Sequence, residues 1–253
     1  MDMSERRDRI VDFINGEGNV TFGQLKGEFP DVSEMTLRTD LKVLDGQRQI
    51  IRVHGGAKSV GFALGTDDLL ARRTSRRSVE KAEVARKAAG LIQPGRTVFI
   101  DSGSTTTAFA AVIEDVDLLV FTNSITVASE LSRLEKVMTY LVGGRLNRFS
   151  KSTIGGHTIE TVRGLSFDQA FIGTTGYVRE RGFTCGSDDE AVFKSSLVKR
   201  SHKSIMLMDA SKEGRAATFR FGGLRDFDTV VTDGGISTDF ILDCEEAKVE
   251  LLR

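Results

Sequence analysis

From Thr97 onward, short apolar runs alternate with stretches of helical periodicity, an order that few folds accommodate. The segments 106–113, 124–134 and 190–201 between the runs carry the helical pattern. Strands that alternate with helices form a mostly parallel sheet with helices on both faces. This part of the chain is therefore predicted to be an α/β domain with these buried strands: 97–100, 118–121, 138–142, 170–172, 204–208 and 229–231.

Residues 1–58 have a different pattern, three short helical segments followed by a hairpin. Apolar residues at helical spacing, from Ile10 to Leu44, give the three segments one small shared core. At 253 residues the chain is long for one domain, so this change of pattern predicts two domains. We expect a winged helix-turn-helix domain over 1–58, a linker over 59–72 and the α/β domain over 73–253.

The stretch 67–91 reads as one helix that carries Arg72, Arg73, Arg76, Arg77 and Lys81. A basic helix face is more often solvated than bound to DNA, so these side chains are expected at the surface.

Composition excludes several classes of protein. The first ten residues contain no apolar segment typical of a signal peptide, and no apolar run is long enough to span a membrane, which predicts a cytoplasmic protein. The two cysteines, Cys185 and Cys244, are too few for a disulfide framework and are expected to be buried. The net charge of −1 gives no general attraction to DNA, so DNA binding would require local geometry.

Residues 30–44 have the pattern of a helix-turn-helix. The turn 30–32 precedes Ser33, a predicted N-cap for the third helix. The early residues of such a helix enter the major groove, which places Glu34, Met35, Thr36 and Arg38 near base edges and phosphates, with Lys42 at the backbone.

A wing is predicted after this helix. Residues 49–54 alternate as a short strand that ends in Gly55 and Gly56, and its Arg52 and His54 would follow the DNA backbone. Patterning alone leaves open a small helical domain that binds protein instead.

Residues 32–41, with Leu44 and 52–57, closely resemble the helix-turn-helix and wing of the DeoR family of bacterial regulators. Three departures are Thr39, where the family usually has a second arginine, Arg48, where it usually has a glycine, and an extra residue within 29–32. The resemblance implies that Thr39 alters operator preference. The predicted DNA-binding residues are Ser33, Glu34, Met35, Thr36, Arg38, Thr39, Lys42, Arg52 and His54.

Polar loops follow the predicted strands, and a parallel sheet brings these loops to one edge. Residues 101–107 join a strand to a helix N-terminus, where backbone N–H groups, hydroxyls and the helix dipole favour an anion such as phosphate. Open α/β sheets bind ligands at this edge. A single hydroxyl here is more often an N-cap, but the loops 122–124, 143–144, 173–176 and 209–212 repeat the pattern.

Within these loops Lys212 would add a cation to the phosphate, and Asp101 or Asp209 would accept from sugar hydroxyls. Glu190 and Lys194, four apart on a helix, have the spacing of a surface ion pair. His157 and His202 show no metal-ligand spacing, and neither a metal nor a cofactor is predicted. The predicted effector-binding residues are Asp101, Ser102, Gly103, Ser104, Thr105, Thr106, Thr122, Asn123, Gly144, Gly173, Thr174, Thr175, Gly176, Asp209 and Lys212.

Residues 73–233 resemble the DeoR sensor domain, which is similar in fold to ribose-5-phosphate isomerase. The resemblance implies a repressor of a sugar-metabolism operon that a phosphorylated sugar releases from operator DNA. One helix-turn-helix reads a short half-site, so at least a homodimer is expected.

Two other functions remain possible from the residues, a sugar-phosphate isomerase with an accessory helix-turn-helix and a protein-binding adaptor. An isomerase needs a positioned general base, for which Asp101, Asp168, Glu190 and Asp209 are candidates by type alone. The helix-turn-helix match favours a regulator, so the chain is predicted not to be an enzyme.

Overall fold

The computed structural model describes residues 2–17, 19–53, 55–59 and 70–253. The chain divides into two compact units, Met1–Asp68 and Leu69–Arg253.

The N-terminal unit contains three helices and three short strands. They are α1 (Met3–Glu17), β1 (Asn19–Thr21), α2 (Phe22–Glu28), α3 (Glu34–Gly46), β2 (Ile50–Val53) and β3 (Gly56–Ser59). The predicted helices and hairpin are confirmed, and their apolar residues form one core. The sequence did not indicate β1, which pairs antiparallel with β3 in a sheet of order β1-β3-β2.

β1 and β3 approach so closely that one position requires glycine. A Cβ on Gly56 would lie 2.0 Å from the carbonyl oxygen of Val20. β3 therefore pairs this closely with β1 only because residue 56 has no side chain.

The C-terminal unit is the predicted α/β domain. Its elements are α4 (Leu70–Ser75), α5 (Ser78–Ala89), β4 (Thr97–Ile100), α6 (Ser104–Ala111), β5 (Leu118–Thr122), α7 (Ile125–Leu131), β6 (Val137–Leu141), β7 (Arg145–Asn147), β8 (Ser152–Ile154), α8 (Gly156–Arg163), β9 (Phe167–Gly173), β10 (Gly176–Val178), β11 (Gly182–Cys185), α9 (Asp188–Arg200), β12 (Ser201–Leu207), β13 (Phe219–Gly222), β14 (Thr229–Val231), α10 (Thr238–Ala247) and β15 (Glu250–Leu252).

Seven strands form one parallel sheet in the order β15-β14-β12-β9-β4-β5-β6. Neighbouring residues of a strand face opposite sides, so Phe99 packs on the face covered by α8, α9 and α10, whereas Val98 and Ile100 pack beneath α5, α6 and α7. This arrangement confirms the predicted fold class. Two smaller antiparallel sheets, β10-β11-β13 and β7-β8, were not predicted.

The single helix predicted over 67–91 is wrong within the described residues, because α4 and α5 are separate. Arg77 has a left-handed conformation with φ of 51°, which ends the helical run. The side chain of Lys81 turns back and donates hydrogen bonds to the carbonyl oxygens of Arg73 and Arg76 at the end of α4. Lys81 is therefore buried and not solvated as predicted.

Throughout the described ranges, no helix combines the length and the apolar character needed to cross a bilayer.

Candidate functional site

One face of α3 is exposed and carries most of the predicted DNA-binding residues. Ser33 caps the helix as predicted, because its hydroxyl accepts a hydrogen bond from the Thr36 amide at 3.1 Å. Met35 is 74% exposed, whereas Leu37 and Leu41 are buried in the core. These side chains share the outer surface, fully or partly exposed: Ser33, Glu34, Met35, Thr36, Arg38, Thr39 and Lys42. Arg52 is exposed on β2, and His54 lies outside the described residues.

Arg38 is held in place on this face. Its guanidinium lies 4.5 Å from the centre of the Phe22 ring, at the start of α2, and 3.6 Å from a carboxylate oxygen of Glu34. A cation over an aromatic face is attracted by the ring quadrupole. The hydroxyl of Thr39 donates to the Met35 carbonyl at 2.9 Å, so it is used within the helix.

The opposite face of α3 carries a buried carboxylate that the sequence analysis missed. Asp40 accepts hydrogen bonds from Nε of Arg6 at 2.7 Å and from Nε of Arg7 at 2.8 Å. Burial alone would raise the pKa of Asp40, but the two arginines outweigh it and hold the pKa below its usual value. Its position three residues after Leu37, within the apolar stripe of α3, could have revealed its burial.

The predicted polar loops in the C-terminal unit all follow strands of the parallel sheet, so they meet at its carboxyl edge. Contacts join them there. The Gly173 amide donates to Asp101 at 3.2 Å, and the hydroxyls of Thr107 and Thr126 are 2.8 Å apart. The sheet therefore brings together loops that lie up to about a hundred residues apart in sequence.

Lys194 occupies the centre of this edge, and its predicted place in a surface ion pair is wrong. The ammonium donates to Oδ2 of Asp101 and to the Gly173 carbonyl at 2.8 Å, and it lies 3.3 Å from Glu190. Only 2% of its side chain is exposed. Burial disfavours the charged form, but Asp101 and Glu190 outweigh it and raise the pKa of Lys194 above its ordinary value.

The first turn of α6 faces the same edge. Gly103 precedes it with φ of 156°, and no side chain of the described residues caps the helix. Its first amides are therefore open to an external acceptor. The Thr106 hydroxyl donates to the Gly103 carbonyl at 3.0 Å, whereas those of Ser104 and Thr105 make no hydrogen bond with described residues.

Three strand ends each leave one buried acceptor without a hydrogen bond from the described residues. These atoms are Oδ1 of Asp101 after β4, Oδ1 of Asn123 after β5 and Oδ2 of Asp209 after β12. These three acceptors lie at one edge and can each receive a hydrogen bond from a bound molecule. A molecule with several hydroxyl groups could donate a hydrogen bond to each of these three acceptors.

The loop after β12 combines charges of both signs. Asp209 accepts from the amide and hydroxyl of Ser211, and the Ala210 amide donates to Asp233 at 2.6 Å. Burial alone would raise the pKa of Asp209, but Lys212, Ser211 and Lys81 together lower it. Burial lowers the pKa of Lys81 to about 8, although Asp209 opposes this shift. Lys81 therefore belongs to this cluster.

Other predicted effector residues shape the loops. The Thr122 hydroxyl accepts from the Ser124 amide at 3.0 Å, and the Thr174 hydroxyl donates to the Gly176 carbonyl at 2.9 Å. A Cβ on Gly144 would lie 2.0 Å from the Thr158 hydroxyl. Ser102, Gly173 and Thr175 lie in the same loops.

No group of His, Cys, Asp and Glu residues in the described ranges could hold a metal ion. Both cysteines are buried, as predicted.

Family models match both units. The DeoR-like helix-turn-helix domain matches residues 6–61, and the DeoR C terminal sensor domain matches residues 76–234.

Curated relatives align along nearly the whole chain. The transcriptional repressor GlcR of Bacillus subtilis (strain 168) is 33% identical, over 92% of this chain and 89% of the relative. The transcriptional regulator GlpR of Haloferax volcanii is 30% identical over 98% and 97%. The lactose phosphotransferase system repressor of Lactococcus lactis subsp. lactis is 28% identical over 94% and 93%. These are names of regulators, not of enzymes, as predicted.

Solved structures resemble the chain only weakly. Ribose 5-phosphate isomerase A from Methanocaldococcus jannaschii has a TM-score of 0.38 and 15% identity, over 53% of each chain. The eIF2B beta subunit from Chaetomium thermophilum has a TM-score of 0.48 and 13% identity, over 68% of this chain and 54% of that one. The two family matches and the relatives of full length identify the chain as a member of the DeoR family of DNA-binding transcriptional regulators.

Proposed function

We propose that the chain represses a sugar-metabolism operon and leaves its operator when a phosphorylated sugar binds at the carboxyl edge of the sheet. It acts in the cytoplasm as a homo-oligomer of at least two copies. The observation that carries this proposal is the set of three buried acceptors, on Asp101, Asn123 and Asp209, beside an uncapped helix N-terminus. The relatives named as repressors include those of a lactose phosphotransferase system and of GlcR type.

The two ends of the ligand fit two different groups of atoms. A phosphate accepts hydrogen bonds, and the first amides of α6 with the hydroxyls of Ser104 and Thr105 supply donors. Lys212, in the loop after β12 at the same edge of the sheet, adds positive charge. Sugar hydroxyls donate, and the three buried acceptors would receive them.

Binding must also change the DNA-binding unit. Lys81 links the ligand edge to α4, because its ammonium holds two carbonyls at the end of that helix and interacts with Asp209. A ligand at Asp209 would alter this interaction, and α4 is the first described helix of the C-terminal unit. A ligand that binds the DNA-free form of the protein more tightly than the DNA-bound form lowers operator affinity by the ratio of these two ligand affinities. This ratio is typically about 5–150-fold, or about 1–3 kcal/mol.

Isothermal calorimetry with a panel of sugar phosphates and the matching free sugars tests the site. At least one phosphate is expected to bind, and its free sugar at least about tenfold more weakly, because the α6 donors lose their partner. The Ser104→Ala, Lys212→Ala double variant should lose binding to a similar extent. Lys199→Ala, an exposed lysine on α9, serves as the control. Equal binding of free sugars and phosphates, or normal binding by the double variant, would exclude this site.

Arg38→Ala should weaken operator binding by about 1–3 kcal/mol, because Arg38 is fixed on the exposed face of α3. Fluorescence anisotropy with operator and unrelated DNA across a salt series measures this loss. A base contact predicts loss of discrimination between the two DNAs, and a phosphate contact predicts equal losses with a smaller salt slope. Arg163→Ala is the matched control, since Arg163 is 54% exposed and Arg38 is 61% exposed. Unchanged affinity for both DNAs would remove Arg38 from the interface.

A further inference from the structure

Strand β6 forms one edge of the seven-stranded sheet and exposes large apolar side chains. Met138 is 61% exposed, Tyr140 50% and Leu141 48%, and Leu146 on the following β7 is 55% exposed. Soluble proteins seldom leave such side chains together at an open strand edge.

The opposite edge of the sheet, strand β15, has features that prevent pairing with another strand, and β6 lacks them. β15 has three residues, begins with Glu250 and leaves its two leucines only partly exposed. Glu250 also accepts from Thr229 and lies 3.4 Å from Lys203. By comparison, β6 contains no charge and no proline, and it pairs with β5 without a bulge. Its edge therefore lacks the features that prevent pairing with another strand.

The Tyr140 ring on β6 is held against the core. The Tyr140 ring stacks on Phe121 with centres 5.0 Å apart, and Phe121 in turn contacts the core residue Phe167 at 5.7 Å. A side chain that is half-exposed but fixed loses little conformational entropy when a partner covers it.

The size of the surface matches part of a dimer interface. A large side chain presents roughly 150–250 Å² when fully exposed, so the four residues leave on the order of 400 Å² of apolar surface. A standard interface uses about 800 Å² per partner, of which the remainder is a polar rim. Met138 and Tyr140 lie on one face of β6 and Leu141 on the other, so pairing of two β6 edges would bring both faces of the strand beside the partner strand and cover this apolar surface.

We infer that β6 is the surface through which two copies of this chain pair, antiparallel across a twofold axis. This inference rests on the proposed function, because a symmetric dimer presents two helix-turn-helix units to two half-sites. Antiparallel pairing around Thr139 sets Met138 of one copy opposite Tyr140 of the other. Glu135 and Lys136 precede the strand and Arg145 follows it, so pairing opposes no block of like charge.

Light scattering coupled to size exclusion, on the full chain without ligand, tests this surface. Wild type is expected to be a dimer or higher oligomer, and Tyr140→Lys to weaken self-association by about a hundredfold or more. Loss of one aromatic anchor commonly weakens binding about thirtyfold, and a twofold interface loses two such anchors, so the factor is squared to about nine-hundredfold, and a hundredfold is a lower bound. Leu242→Lys is the matched control, since Leu242 is 54% exposed on α10. A monomeric wild type, an unchanged Tyr140→Lys or dissociation of Leu242→Lys would overturn the inference.

Cross-linking gives a second test that does not place a charge at the surface. After oxidation, the Met138→Cys, Tyr140→Cys double variant is expected to form a covalent dimer. Whether the twofold axis passes residue 138, 139 or 140, a cysteine of one copy then lies opposite a cysteine of the other. Leu242→Cys should not, and the natural cysteines are buried. Absence of the covalent dimer would contradict the pairing. Calorimetry with the sugar phosphates on Tyr140→Lys separates the two proposals. If the monomeric variant still binds a sugar phosphate, its effector site is intact, and the loss of pairing is due to the β6 surface alone.

Discussion

Lys194→Met is expected to lower the free energy of unfolding of the C-terminal unit by about 3–5 kcal/mol. The substitution keeps the length of the side chain but leaves the carboxylates of Asp101 and Glu190 without their buried cation. An unpaired buried charge cannot recover its hydration. For a unit of this size, each kcal/mol lowers the melting temperature by about 2–4 °C, so calorimetry or circular dichroism should detect a large shift.

Two further variants give this result its meaning. Asp101→Asn, Lys194→Met removes most of the unpaired charge and should recover much of the loss, which identifies the interaction as a coupled pair. Lys199→Met, exposed on the same helix, should change stability by less than about 0.5 kcal/mol. A cost below about 1 kcal/mol for Lys194→Met would mean that water reaches the ammonium.

Asp40→Asn is expected to destabilise the N-terminal unit by about 2–3 kcal/mol. The change removes the charged acceptor shared by Arg6 and Arg7, whose side chains are only 17% and 20% exposed. In a unit of about sixty residues, each kcal/mol corresponds to about 4–8 °C in melting temperature. Hydrogen exchange of the amides in α1 and α3 measures this unit without interference from the other.

The same carboxylate makes the unit sensitive to acid. The pKa of Asp40 lies lower in the folded state than its ordinary value of 3.8, so its contribution is present at neutral pH. That contribution is lost as the pH falls through the lowered pKa. Asp40→Asn should abolish this part of the acid dependence, and Asp12→Asn, exposed on α1, should preserve it. An equal acid dependence in wild type and Asp40→Asn would contradict the assignment.

The sequence predicted the parallel sheet and the edge where its loops meet because each buried strand is a run of apolar residues that periodicity detects. It missed β1, β15 and the strands of the two small sheets, which have only three or four residues each and are too short to show alternation. β14 is equally short, but all three of its residues are apolar or buried, and it was predicted. The order of the strands also depends on contacts between distant segments, which a local pattern does not contain.

The buried lysines were missed for another reason. Lys194 and Glu190 have the spacing of a surface pair, but the partner that buries the lysine, Asp101, lies far away in sequence. A local signal existed: Lys194 follows Ala191 by three residues and precedes Leu197 by three, within the buried stripe of α9. Lys81 similarly precedes buried Val84. For both lysines, a position within the apolar stripe of a helix is the better guide, and it indicates burial. An oppositely charged residue four positions away is a poorer guide, although it is typical of an exposed ion pair.

The close approach of β3 to β1 has a consequence for DNA recognition. β1 runs directly into α2, and the Phe22 amide donates to the Gly55 carbonyl at 2.7 Å, so the hairpin is fastened to the helix-turn-helix. The hairpin and α3 are therefore held at a fixed separation. In the proposed complex, DNA binds well only if its groove width and helical twist fit that separation. Both properties vary with sequence, also at base pairs that the protein never touches.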